Sequence, residues 1–93
     1  MKVTRNEVYA AVDSERNYQE NLPRSTEKVQ APLEHLTIIR RIVRDMEDSW
    51  YDNPGKADMN FMRKIAAVAV RAMEQHGAPL RGYSGMAYMD GGL

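Results

Sequence analysis

The chain has 93 residues, contains no cysteine and carries thirteen basic and thirteen acidic side chains, so its formal net charge is zero. Without cysteine it has no disulfide, no thiolate metal ligand and no cysteine nucleophile. A zero net charge argues against general binding to DNA or RNA, and no apolar run approaches the ~18 residues of a membrane span. We expect one cytoplasmic domain with no signal peptide and no membrane partner.

The first predicted helix begins at Thr4, because Thr4 and Glu7 have the spacing of a capping box. The residues that follow at helical spacing lie near one face of this helix; they are Val8, Ala11, Val12, Glu15 and Tyr18. The helix should end before Leu22, because the proline that follows disfavours helix in the preceding residue. Residues 21–31 are predicted to form a loop, and a loop of this length in a small domain often carries binding groups.

The second predicted helix begins at Pro32, since proline suits the first turn of a helix. Its apolar stripe consists of Leu33, Leu36, Ile39, Ile42 or Val43, Met46 and Trp50. Charged residues occupy much of the other side. The helix should stop at residues 51–55, where Asn-Pro-Gly is a strong turn signal.

The third predicted helix is capped by Asp58 and closed by Gly77, a residue that suits the position after a helix end. Its stripe runs through Met59, Met62, Ile65 or Ala66, Ala69, and Ala72 or Met73. Val68 and Val70 widen the apolar surface beyond one face, and such a helix needs more than one neighbour. In so short a chain we expect the second neighbour to be another subunit.

These elements predict an all-α fold, a small three-helix domain over residues 1–81. The second and third helices form a helical hairpin, the first is an added N-terminal helix, and the domain assembles into a helical homo-oligomer, because a chain this short is marginally stable alone. Residues 82–93 are rich in glycine and lack periodicity. They are predicted to be a flexible tail, or alternatively a segment that docks on a neighbouring subunit.

Basic and polar side chains at several places in the chain are candidates for binding an anion. On the first helix Arg16 and Gln19 are one turn apart and could flank a base or a phosphate, while the hydroxyl of Tyr18 needs a partner. Arginine gives bidentate contacts to phosphate and lysine gives a point charge. The candidate ligand-binding residues are Arg16, Tyr18, Gln19, Arg24, Lys28, His35 and Lys64. The alternative is that the charged residues, with Arg63 and Arg71, only keep the surface solvated.

His35 and His76 are the two histidines of the chain. With no cysteine and no metalloprotease spacing they do not predict a zinc site. His76 lies at a helix C-terminus, where the helix dipole favours its charged form. His35 lies in the first turn of the second helix beside the apolar stripe, so it is a candidate hydrogen-bond donor to a ligand.

Paired carboxylates on facing helices would build a Mg²⁺ site. Asp45 and Asp48 are three residues apart on the second helix, but the third helix offers in opposition only Asp58 at its cap and Glu74 near its end. A metal bridged between the helices would lack half of its ligands. We therefore predict no catalytic residue, no metal and no cofactor, with Mg²⁺ held by Asp45 and Asp48 as the alternative.

Two segments of the chain resemble a known group of proteins. Residues 14–19 (Ser-Glu-Arg-Asn-Tyr-Gln) and residues 62–79 look like segments of small bacteriophage proteins related to the MazG-like, all-α nucleotide pyrophosphatases. The resemblance covers residues 7–81. It implies dimers or tetramers of packed helices that hydrolyse nucleoside triphosphates with Mg²⁺. In that family the Mg²⁺ ion is held by acidic pairs on two successive helices. Here Arg63, Lys64 and an Ala/Val run stand where the third helix should supply acids, so the metal site is incomplete.

The expected function is therefore that of a non-catalytic, nucleotide-binding phage protein. Its ligand would be a nucleotide or cyclic nucleotide that serves as an immune signal in the host. The protein would sequester this ligand in the host cytoplasm. One alternative is a Mg²⁺-dependent MazG-like nucleotide pyrophosphohydrolase. A second alternative is a helical protein-interaction module that recognises a host protein. The sequence leaves the identity of the ligand and the number of subunits open.

Overall fold

The computed structural model describes residues 2–22 and 28–82, which form three helices and, within these ranges, no strand. Helix α1 is Arg5–Glu20, α2 is Pro32–Asp52 and α3 is Met59–His76. The all-α, three-helix prediction is confirmed. None of the helices in the described ranges is long and apolar enough to cross a membrane. The predictions for the middle of the first loop and for the C-terminal tail fall at residues 23–27 and 83–93, outside the described residues.

The capping box at the start of α1 is present as predicted. The Thr4 hydroxyl accepts the Glu7 backbone N–H at 3.2 Å, and the Glu7 carboxylate accepts the Thr4 backbone N–H at 3.2 Å. Each contact satisfies an amide that has no partner inside the helix. Helix α1 then ends at Glu20, two residues before Leu22.

The boundaries of α3 also follow the local signals. The Asp58 side chain accepts the Asn60 backbone N–H at 2.9 Å, which caps the first turn. At the other end Gly77 has a φ of +116°, a conformation that strongly favours glycine, and its N–H reaches the Met73 carbonyl at 2.8 Å. These two residues confirm where the chain enters and leaves α3.

Helix α3 lies between the other two helices. Both α1 and α2 pack against it, while the described residues of α1 and α2 make no helix-to-helix contact with each other. The buried apolar core of the described residues consists of Ala67, which is fully buried, and Val68, which is 6% exposed. The second neighbour of α3 is therefore α1 of the same chain and not, as we had expected, another subunit, so the apolar width of α3 does not by itself require an oligomer. Periodicity shows that two faces are apolar but not which element covers each.

Two ion pairs hold α1 against α3. The Glu15 carboxylate accepts from Arg63 Nε at 2.7 Å, and Arg16 donates to the Glu74 carboxylate from Nε at 2.9 Å and from Nη2 at 2.6 Å. Glu15 is 8% exposed, so its charge depends on Arg63 for compensation. Because each helix supplies one acid and one base, the pairs fix the orientation of α1 on α3.

Replacing Ala67 with leucine should destabilise the protein. The position is fully buried in the α3 core, so a larger side chain must push the helices apart, at a cost of about 1–3 kcal/mol. Urea unfolding followed by circular dichroism measures the change. The matched control is Ala11→Leu at an exposed position of α1, which should shift the free energy of unfolding by less than about 0.5 kcal/mol. Equal effects of the two substitutions would contradict this packing.

Candidate functional site

A polar cluster forms where the end of α3 meets the start of α2. The side-chain oxygen of Gln75 lies 2.9 Å from the Gln30 backbone nitrogen and 2.9 Å from His35 Nε2. His76 Nε2 lies 2.6 Å from the Gln30 carbonyl oxygen, and the two imidazole rings meet edge-on with centroids 5.8 Å apart. We call Gln30, His35, Gln75 and His76 the polar cluster. It ties the segment before α2 to the last turn of α3.

The hydrogen-bond network assigns the protons on both histidines. The Gln75 oxygen accepts the Gln30 backbone N–H, so that atom is the carbonyl end of the amide and carries no hydrogen. His35 must then donate from Nε2, and His76 must donate from Nε2 to the Gln30 carbonyl. In its neutral form His35 therefore presents a bare lone pair at Nδ1.

The structure changes the role available to His35. It is 1% exposed, and its N–H is already used by Gln75. The predicted role as a hydrogen-bond donor to a ligand is not available in this arrangement. What remains at Nδ1 of the neutral ring is a buried acceptor without a donor.

Three buried polar atoms in the described residues have no hydrogen-bond partner. They are His35 Nδ1, the Gln30 side-chain oxygen and the Gln19 side-chain oxygen. All three are acceptors when His35 is neutral. A buried polar atom without a partner costs about 1–3 kcal/mol, so each needs a donor from water or from a ligand. Two of the three belong to the polar cluster, and Gln19 lies in the last turn of α1.

The predicted cationic residues divide into occupied and open groups. The Arg16 side chain is 15% exposed and is neutralised by Glu74, with Glu20 a further 3.9 Å contact. Lys28 and Lys64 are exposed, and Lys64 Nζ lies 5.7 Å from the centre of the Phe61 ring. Arg24 lies outside the described residues. Among the predicted cations that the structure describes, the exposed charges are thus on Lys28 and Lys64 and not on Arg16.

Tyr18 is 63% exposed on the outer side of α1. An exposed phenol offers a flat apolar surface on which a base can stack. Gln19 follows it directly and holds one of the buried acceptors. Tyr18 is therefore accessible on the C-terminal turns of α1, and no described contact joins it to Lys64.

The acidic residues of α2 do not face a second set of acids. Asp45 and Asp48 are exposed, and Asp45 borders a shallow depression with Thr37, Arg40, Arg41 and Arg44. Among residues 2–22 and 28–82, no three His, Asp or Glu side chains come together as a cation site requires. The two acids of α3 that could have opposed them are used elsewhere, Asp58 as a cap and Glu74 with Arg16.

A second candidate surface is apolar and lies across α2 and α3. Val43, Met46 and Trp50 of α2 border, with Met62 and Ile65 of α3, a groove of about 320 Å³. Three large side chains that border it stay about half exposed, Val43 at 41%, Trp50 at 46% and Met62 at 49%, and so do Leu36 of α2 at 48% and Met73 of α3 at 44%, which continue the same helix rows. We call these five residues the apolar face. Large apolar side chains that stay half exposed beside one groove are typical of an interaction surface.

Comparison with known proteins adds no relative. No protein-family model, no curated protein and no solved structure matches this chain. The resemblance to phage proteins of the MazG-like type therefore stays a prediction.

The sequence reasoning missed Gln30 and Gln75. Gln75 lies 45 residues from Gln30 and 40 residues from His35, and no local spacing connects these positions. The available signal was the polar side chain of Gln75 near the apolar stripe of α3, which is one turn from Ala72. That signal marks a buried polar group but does not identify its partner.

Replacing Gln75 with leucine should lower the free energy of unfolding by about 2–3 kcal/mol, because the Gln30 N–H and the His35 Nε2–H both lose their acceptor. The control Gln75→Glu keeps an oxygen at the same place and should retain most of the stability. Nitrogen-15 NMR of the histidines provides an independent readout. We expect the wild-type His35 signal to be that of the Nε2–H tautomer, and an Nδ1–H tautomer would contradict the network.

Proposed function

We propose that this chain is a non-catalytic phage protein that binds a nucleotide or cyclic nucleotide and works as a homo-oligomer in the host cytoplasm. The observation that carries the proposal is the set of buried acceptors without donors at His35, Gln30 and Gln19. The exocyclic amines of a nucleobase and the hydroxyls of a ribose are donors of the required kind. Sequestering such a ligand would remove it from the host as an immune signal.

Residues next to these acceptors in the sequence carry groups that suit the other parts of a nucleotide. Lys28, two residues before Gln30, is exposed and offers a point charge for a phosphate. Tyr18, next to Gln19, is exposed and offers a stacking surface. Arg16 is held by Glu74 and contributes mainly to the position of α1. In this proposal ligand binding opens the segment before α2, because the unpaired acceptors are buried. The base and ribose then meet the polar cluster, while the phosphates stay toward solvent and Lys28.

A protein partner is the second candidate, and the apolar face favours it. Trp50 and Met62 are about half exposed beside a groove, and such residues are frequent at protein interfaces. The same face is the basis for the proposed homo-oligomer. A host protein that occupied it would compete with a second copy of the chain.

The stacking role of Tyr18 can be tested by calorimetry against a panel of nucleotides and cyclic dinucleotides. Tyr18→Ala should raise the Kd of the ligand that binds by roughly 10–100-fold, because stacking contributes ~1–3 kcal/mol per base. The matched control is Tyr9→Ala, which lies on the same helix at 62% exposure against 63% for Tyr18 and should leave the Kd unchanged. If no member of the panel gives heat with the wild-type protein, the nucleotide proposal is wrong.

Incubation with metal separates binding from hydrolysis. The proposal predicts that nucleoside triphosphates remain intact after long incubation with Mg²⁺ or Mn²⁺, with chromatography as the measurement. Turnover that is lost in Asp45→Asn and Asp48→Asn would support the pyrophosphohydrolase alternative instead. The matched control for these exposed residues is Asp13→Asn on α1, which should not change either result.

A further inference from the structure

The apolar residues of α2 are arranged in a heptad pattern that α3 covers only in part. Leu36, Val43 and Trp50 are spaced by seven residues, and Ile39 and Met46 lie between them at the complementary heptad positions. His35 contacts Gln75 of α3 and so marks the side of α2 that faces α3. The Leu36 row is one residue further around the helix and remains 41–48% exposed. Half of a coiled-coil seam is thus left without a partner helix.

The exposed part of α3 matches this row in character. Met62 and Met73 are three turns apart on one side, and the small residues Ala66 and Ala69 lie between them. Val43, Trp50 and Met62 border the same groove, so both rows face the same way. Together these half-exposed side chains form an apolar surface of the kind found at the centre of a standard interface, which buries ~800 Å² on each partner.

Charges on the margin of the face specify what can cover it. Arg40 and Glu47 are also seven residues apart, along the edge of the Leu36 row that points away from α3. Both are exposed, and neither forms an ion pair within the described residues. In an antiparallel pair of helices these margin positions face each other across the seam. Arg40 of one copy then meets Glu47 of the other, twice by symmetry.

A parallel pair does not give this match. In a parallel pair, the margin that carries Arg40 and Glu47 on one helix meets the other margin of the partner helix. In α2 that other margin carries His35 and Ile42 and faces α3. Arg40 and Glu47 would lie against neutral groups. The charge pattern is complementary to itself only when the second α2 runs in the opposite direction.

We propose that the apolar face binds a second copy of this chain, with the two α2 helices antiparallel about a two-fold axis next to Val43. Val43 then packs on the partner's Val43, Leu36 packs on the partner's Trp50, and Arg40 pairs with the partner's Glu47. The inference rests on the homo-oligomer in the proposed function and adds the surface, the direction and the register. A two-fold axis makes the contact closed, as in most soluble dimers.

Single cysteines test the register directly, because the chain has no cysteine of its own. Under mild oxidation Val43→Cys should form a disulfide dimer in high yield, since the axis places this residue beside its own copy. Leu36→Cys alone should not cross-link, but a mixture of Leu36→Cys and Trp50→Cys chains should give the mixed dimer. The control Asp48→Cys, exposed on the opposite side of α2, should stay reduced.

Self-cross-linking of both Leu36→Cys and Trp50→Cys would show a parallel pair and overturn the proposal. A charge reversal supplies an independent readout by sedimentation at several protein concentrations. Arg40→Glu should weaken the dimer by roughly tenfold, because two exposed pairs become repulsive. Adding Glu47→Arg to the same chain should restore the wild-type dissociation constant, and failure of this rescue would also overturn the register.

The outcomes separate this inference from the proposed function. An oligomer by light scattering without the Val43→Cys cross-link would contradict the antiparallel interface while the homo-oligomer stands. A monomer at all concentrations would contradict both. Nucleotide binding is measured by calorimetry on the chain without cross-links, so its result does not depend on the cross-linking result or on the oligomeric state.

Discussion

The whole arrangement depends on α3 being shared between two helices that do not touch each other. Ala67 and Val68 are the buried apolar residues of the described chain, and they lie on α3. A small side chain at residue 67 permits the helices to approach closely. Because one helix supplies the core for both neighbours, neither α1 nor α2 can be fully covered. The apolar side chains that remain outside are a consequence of this geometry and of the short chain.

With so small a core, directional polar contacts define the relative positions of the helices. Glu15 with Arg63 and Arg16 with Glu74 set α1 on α3, while Gln75 sets the start of α2. Glu15 is the buried member of the first pair, and an ion pair with a buried charge contributes little net stability but penalises arrangements that leave that charge alone. The same polar contacts leave acceptors without donors. The structure therefore combines a defined shape with buried acceptors that lack donors and an uncovered apolar face on α2 and α3.

The parts of the fold that the sequence predicts are those controlled by local chemistry. Thr4 with Glu7, Pro32, and Asp58 with Gly77 mark helix boundaries, and each acts within a few residues of its own position. The predicted helices therefore agree with the observed ones to within a residue or two. The placement of α1 on α3 was not predictable in this way, because periodicity identifies an apolar face but not its partner.

The candidate site was harder to predict for the same reason. Arg16 looked like a phosphate ligand, but Glu74, 58 residues away, neutralises it. His35 looked like a donor to a ligand, but its Nε2–H already donates to Gln75. Pairings of this kind require the three-dimensional arrangement. Tyr18 and Lys28 keep the exposure that a binding role needs. The heptad row of α2 indicates an interface only once the structure shows which side of α2 is covered by α3.

The central claim is that this chain assembles with itself and holds a nucleotide without cleaving it. A native mass spectrum of protein purified gently from cells tests this most directly, since each subunit contributes 10.6 kDa. The account predicts an assembly with an even number of subunits that carries additional mass matching intact nucleotide, and that loses this mass in Tyr18→Ala. A bare monomer, or an assembly that carries no nucleotide from cells and acquires none when nucleotides are added, would contradict the account.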